Sequence, residues 1–217
     1  MFIGHWAPAL AASAASRKAP PIALLFIGAQ LIDWAFFGFL LLGWEHMRFS
    51  PGISVMNPMD LYDMPYTHSL LGAAAFAGAV WALRSLVVRD RVGALIGGAV
   101  VLSHWLLDLL VHVPDLTLAG SPPKLGLGLW NHPAIEMPLE IGLLFASAWL
   151  FSRAKRPPHW RLAVLLAVLI ALQAFNWFAP QPTELDASQS VLGLVAYVLA
   201  AGVAWWVARG RSEVPVA

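Results

Sequence analysis

The chain has 217 residues, of which 59% are hydrophobic and only 12% charged, about half the charged share of a soluble domain, so an integral membrane bundle is expected rather than a water-soluble core. Its formal net charge of +1, with the basic residues in short clusters instead of along one face, gives no footprint for nucleic acid. The lack of cysteine excludes disulfides, thiol chemistry and thiolate metal sites, so any metal must be held by imidazole and carboxylate.

In chain order, apolar stretches predict helices over about 2–16, 21–44, 67–87, 92–113, 133–152, 162–179 and 188–208, most of them near the length a bilayer requires. The expected fold is all-α: a polytopic membrane bundle of about seven transmembrane helices, with 1–217 forming one integral membrane domain. The first helix is short. Pro8, the near-absence of a basic leader and the Arg17-Lys18 pair at its far end argue against a signal peptide, so it is read as part of the mature fold. Basic residues gather at Arg17-Lys18, Arg84 to Arg91, Arg153 to Arg161 and Arg209-Arg211, whereas Asp60, Asp63, Asp115, Glu184 and Asp186 fall in the alternate loops. The positive-inside rule then places the N-terminus outside and the C-terminus inside.

Gly93 with Gly97, and the small-residue run Gly72 to Gly78, suit close helix packing. Trp44, Trp130, Trp149, Trp160 and the Trp205-Trp206 pair lie near predicted span ends, where the indole ring favours the interface. The outward loops 45–66 and 114–131 are rich in Pro and Gly. The second is also apolar enough to lie on the membrane as a lid, or it merely turns the chain.

The chemistry-bearing residues are histidines and acids. His104 and Asp108, and likewise His132 and Glu136, are four residues apart, so each pair projects from one helix face and can reach one cation. Ionisable groups near the bilayer centre cost roughly 2.5–3.5 kcal/mol each on insertion scales, which calls for a use. A rise of about 1.5 Å per residue from the nearest basic cluster puts His5, Asp33 and His104 roughly 18–21 Å up. Asp108 and Glu136 reach about 24–26 Å, and His68, His112 and His132 about 30 Å. All eight thus fall in the outer half, whereas His46 and His159 belong to loops. Each also has a structural explanation: a buried hydrogen-bonded pair for His104 and Asp108, the helix dipole for Glu136, a snorkelling tip for His112 and a chain-end surface for His5. Asp33, a lone acid within an apolar run, has the weakest structural explanation.

GHWAPALAA at 4–12, the Asp33 region, PYTHSLLGA at 65–73 and SHWLLDLLVHVPD at 103–115 resemble the bacterial family of inner-membrane, metal-dependent hydrolases, also described as LexA-binding inner-membrane-associated hydrolases. The order His, Asp, His, His-x3-Asp, His, His-x3-Glu is also similar to the ligand order of the zinc-dependent phospholipase C and single-strand nuclease superfamily. That resemblance implies one zinc held by Asp33, His68, His104 and Asp108, and a second by His112, His132 and Glu136. It implies a third held by His5, with Asp108 bridging and the N-terminal amine assisting. It covers roughly residues 1–140 and leaves 141–217 as scaffold helices. Where the membrane family shows Pro-Asp-x-Asp this chain has QLIDW, one acid fewer with Gln30 nearby, so the expectation is two or three Zn2+ or other divalent ions.

Such ions lower the pKa of a bridging water and bind phosphoryl oxygens, with Asp33 or Glu136 able to take the proton if free of metal. The expected activity is a phospholipase C-like phosphoesterase acting on lipid head groups at the outer leaflet of the bacterial inner membrane, with Arg48 and Lys124 as the outward cations that could steer a phosphate. A ceramidase-like zinc amidase, a metal transporter and a non-enzymatic membrane protein are the alternatives.

Overall fold

The computed structural model describes residues 1–209, so Arg211 of the last basic cluster lies outside the described residues. Eight α-helices run through it: α1 (Trp6–Ala15), α2 (Ile22–Ala29), α3 (Leu31–Leu42), α4 (Leu70–Leu83), α5 (Arg91–Val111), α6 (Pro133–Lys155), α7 (His159–Phe178) and α8 (Ala187–Arg209). Five segments are long and apolar enough to cross a membrane, namely α4 with its π-type extension to Val88, and α5 to α8. The α2–α3 pair makes a sixth if counted as one bent span.

Two of the expected helices differ. The helix expected over 2–16 is a short turn Ile3–His5 followed by ten-residue α1, about 15 Å long and so half a bilayer deep. The run 21–44 breaks at Gln30 and bends by 52°. Gln30 is fully buried and its amide Nε2 donates to the Phe2 carbonyl, so the break is held by the N-terminal segment. The carbonyls freed at the end of α2 find other donors: Phe26 O accepts from Trp6 Nε1 at 3.1 Å, and Ala29 O from His104 Nδ1 at 2.8 Å. A broken helix is tolerated in an apolar bundle only when its orphan carbonyls are paired in this way.

The main core packs α1, α2, α6, α7 and α8 through Trp6, Leu10, Phe26, Leu144, Leu165 and Ala200. A second cluster joins α3, α4 and α5 through Ile32, Ala73, Val101 and Trp105. Close approach of α4 and α5 depends on Gly98 and Gly97, where an added Cβ would stand 3.1 Å from Ala77 O and 3.3 Å from Val80 Cγ1. Gly93, by contrast, serves the start of α5: its N–H donates to Asp90 Oδ1, and a Cβ would strike that same carboxylate. Gly72 similarly accommodates the carbonyl of Tyr66 just ahead of α4, not a neighbouring helix.

The two loops expected to face outward are ordered and pack on each other. Strands β1 (His46–Phe49) and β2 (Met59–Asp63) form one antiparallel hairpin; β3 (Leu116–Thr117) and β4 (Lys124–Leu125) form another. The Lys124 ammonium donates to the carbonyls of Leu61 and Tyr62, Met56 N–H to Trp130 O, and Thr117 N–H to His68 O. The 114–131 segment is therefore stitched to the first hairpin and to the start of α4. Apart from Arg48 and Lys124, every described Lys and Arg lies at the opposite end of the bundle, where Lys155 Nζ reaches Ser16 O and Arg161 reaches Trp206 O.

Candidate metal centre

Asp108, less than one turn from the end of α5, is the hub. Its Oδ1 lies 3.0 Å from His5 Nε2, 3.0 Å from the Met1 amine and 3.4 Å from His112 Nε2. Its Oδ2 lies 3.0 Å from His104 Nε2 and 3.9 Å from His68 Nε2. Asp33 closes the far side, with Oδ1 3.3 Å from His104 Nε2 and 3.6 Å from His68 Nε2. Four imidazoles thus aim the same ring atom, Nε2, at one small volume between two carboxylates. Two three-residue sets have all ligand atoms within 4.8 Å of one another: His5, His104 and Asp108, and Asp33, His68 and His104. The group is buried throughout except at Asp33, whose side chain is 16% exposed and forms its accessible edge.

The opposite ring atoms explain this convergence. His104 Nδ1 donates to the Ala29 carbonyl released by the helix break. His112 Nδ1 donates to Asp115 Oδ1 at 2.9 Å. His68 Nδ1 lies 2.9 Å from Thr67 Oγ1, whose own hydroxyl donates to Glu45 Oε2, so the ring nitrogen must be the donor in that pair. Glu45 is buried and also accepts the N–H groups of Tyr66 and Thr67, fixing the turn that carries His68. Each ring is thereby set in the tautomer that leaves Nε2 a free lone pair, the arrangement metal-ligating histidines show.

His104 Nε2 is the most telling atom. It is buried and makes no hydrogen bond among the described residues, although two carboxylate oxygens lie within 3.3 Å of it. Carboxylate oxygens this close to a ring nitrogen that makes no hydrogen bond with them suit a shared cation. With only nitrogen and oxygen donors, tetrahedral or expanded Zn2+ coordination fits the donor set.

The eight expected ligands divide. His5, Asp33, His68, His104, Asp108 and His112 come together. His132 does not join them: it precedes α6 as an exposed residue and enters neither ligand set. Glu136 is buried on α6 one turn before Glu140, with Oε2 lacking a hydrogen-bond partner among the described residues. The His112, His132, Glu136 trio is thus not assembled: His132 is exposed ahead of α6, while His112 turns Nε2 to Asp108 and Nδ1 to Asp115. Arg48 is ion-paired with Asp60 at 2.8 Å and stacked over Tyr62, and Lys124 is bound to carbonyls, so both cations are committed to the hairpins.

Sequence reasoning missed the residues that hold the ligands. Thr67 and Asp115 lie near in sequence to the ligand histidine each supports, whereas Glu45, which acts through Thr67, is distant in sequence from His68. Glu140 was also missed: its Oε1 accepts the N–H groups of Phe2 and Gly4 at 2.7 and 2.8 Å, and Gln173 braces its other oxygen. That cradle fixes the segment from which His5 and the Met1 amine reach Asp108. A pair of buried polar residues on α6 and α7, at 140 and 173, was the available signal.

No family model, no curated protein and no solved structure matches this chain.

Proposed function

We propose that the protein is a membrane-embedded, metal-dependent hydrolase that binds a pair of divalent cations, Zn2+ first among them, with Asp108 bridging. One observation carries this reading: four imidazole Nε2 atoms and two carboxylates converge on one buried volume, three of the rings are held from behind through Nδ1, and His104 Nε2 is left without a hydrogen bond. Asp33, His68, His104 and Asp108 would hold one ion; His5, His112 and the other oxygen of Asp108 would hold the second. Bound there, such ions supply Lewis acidity and a water of lowered pKa. Asp33 presents the edge a substrate can reach. Glu136, whose buried Oε2 makes no hydrogen bond among the described residues, is the acid we assign to accept a proton.

The reaction class this supports is phosphoester hydrolysis on a lipid head group. Two cations in one site suit the paired oxygens of a phosphoryl group. The lipid part rests on location: the ligands lie within about 10 Å of the helix ends, inside an apolar bundle. A groove of about 780 Å³ runs along α4 beside the turn that carries His68, lined by Phe39, Trp44, Tyr66, Leu71, Ala75 and Phe76, and we assign it to an acyl chain. The clustering of basic residues at the opposite end supports an orientation with the site on the outer, periplasmic side. The deep burial of five of the six ligands favours, as second reading, a metal-stabilised membrane protein without chemistry.

The test is metal content by inductively coupled plasma mass spectrometry on detergent-purified protein, beside His104→Ala and Asp108→Ala, followed by product analysis on phospholipid vesicles. About two zinc equivalents, lost in both variants, and release of a phosphorylated head group are expected. Protein purified without chelator that carries no metal would sink the proposal. Fatty acid released from vesicles that also contain an N-acylated lipid such as ceramide would point to an amidase, and bound metal with no product to the second reading.

A further inference from the structure

Asp33 is the weakest-anchored member of the centre. It is the most exposed of the six converging residues, and it sits in the first turn after the break at Gln30, where no continuous helix braces it from below. Its brace comes from the other end of the chain. The Tyr197 hydroxyl of α8 donates to Asp33 Oδ2 at 2.8 Å, while Oδ1 of the same carboxylate faces His104 and His68. One oxygen is therefore held toward α8 and the other toward the histidines.

The approach is built by matched helix faces. Asp33 and Phe37 are one turn apart on α3, and Gly193 and Tyr197 one turn apart on α8. Gly193 lies so close to the Phe37 ring that any Cβ there would collide with it, so a glycine at this position sets the separation at which the phenol reaches the carboxylate. The Tyr197 ring is itself only 4% exposed and is boxed by Phe2, Trp6, Trp34 and Phe37, which fixes the direction of its hydroxyl.

We infer that Tyr197 is a positioning residue for the metal centre: its hydroxyl fixes Asp33 as a one-oxygen ligand and so makes α8 part of the site. This rests on the metal-binding reading above. Without the phenol, Oδ2 is released, and the carboxylate can turn both oxygens onto the ion or swing to its exposed side. Outer hydrogen-bond partners of this kind commonly govern metal affinity by 10–100-fold.

The experiment uses full-length protein in detergent, reconstituted with Co2+ as a spectroscopic probe and titrated with Zn2+ against a chelator. Tyr197→Phe keeps the ring and its packing and removes only the hydroxyl. The expected result is a changed visible Co2+ spectrum and a roughly tenfold or greater loss of affinity for one ion, with the elution profile and unfolding temperature of the metal-free protein unchanged. Gly193→Ala, which should push α8 and the Tyr197 hydroxyl away from Asp33, is expected to produce the same spectral change although the tyrosine itself is retained. A Tyr197→Phe protein with wild-type spectrum and affinity would overturn this inference alone. A wild-type protein that binds neither Co2+ nor Zn2+ would overturn it together with the metal-binding reading.

Discussion

At the scale of single residues, Asp108 carries the most consequence. Its two oxygens face four histidines and the Met1 amine, so Asp108→Asn removes the charge shared by all of them while keeping the volume. Loss of all bound metal is expected, read as equivalents per chain. The residues behind the rings should behave differently. Thr67→Val breaks the chain from His68 through Thr67 to Glu45 without touching a ligand, and Asp115→Asn removes the carboxylate behind His112. Each should weaken metal binding by roughly 10–100-fold without abolishing it, measured by chelator competition. A loss no larger than that of an exposed control substitution would show that the rings hold their orientation by packing alone.

Helix ends and helix contacts govern the next scale. The start of α5 depends on Asp90, whose carboxylate accepts the Gly93 N–H and pairs with Arg84 at 2.9 Å. The Gly93 hydrogen bond first, and then Arg84, hold its pKa below the usual carboxylate value. A depressed pKa means the stabilisation is complete above the unfolded value of about 3.9 and disappears as pH falls through the lower folded value. The unfolding temperature in detergent should therefore drop below about pH 4 in the wild type, and drop less steeply in Asp90→Asn. The start of α4 is set by Gly72, which leaves room for the Tyr66 carbonyl. Gly72→Ala must push that turn away, and with it the residue after it that leads to His68. An expected cost of about 1–3 kcal/mol, measured by thermal unfolding, should come with impaired metal binding.

For the whole molecule, the centre ties together elements far apart in the chain: the N-terminal turn, the α3 segment, the turn before α4, the end of α5, and, through Tyr197 and Glu140, helices α8 and α6. A cation bound there would hold the native bundle and not the unfolded chain. Chelation should lower the unfolding temperature, by an amount equivalent to about 2.7 kcal/mol at free metal a hundredfold above Kd. Equal unfolding with and without chelator would count against a metal that links these helices. The groove on α4 adds a functional test: Ala75→Trp should reduce turnover of long-chain lipids while leaving metal content unchanged.

Much of this was legible in the chain, for identifiable reasons. Lipid-facing helices are apolar over a length set by the bilayer, so α4 to α8 stand out by composition, and intramembrane His and Asp stand out because they are costly. His104 and Asp108 were readable as a pair because helix geometry fixes their shared face. The break at Gln30 was not legible, since an unbroken apolar run gives no sign that a carbonyl will be taken by His104 from another helix. Nor was the fate of His132: four-residue spacing gave it the same pattern as His104, but a residue ahead of a helix can face either way, and this one faces out. The sequence by itself determined a chain of apolar helices long enough to cross a membrane, with imidazole and carboxylate groups set among them, because local periodicity and solvation decide those things. Only the tertiary structure decided which of them meet, how each ring is turned, and that Tyr197 and Glu140 stand behind the site. Those outcomes depend on contacts such as that of Tyr197 with Asp33, 164 positions apart, and no local pattern encodes them.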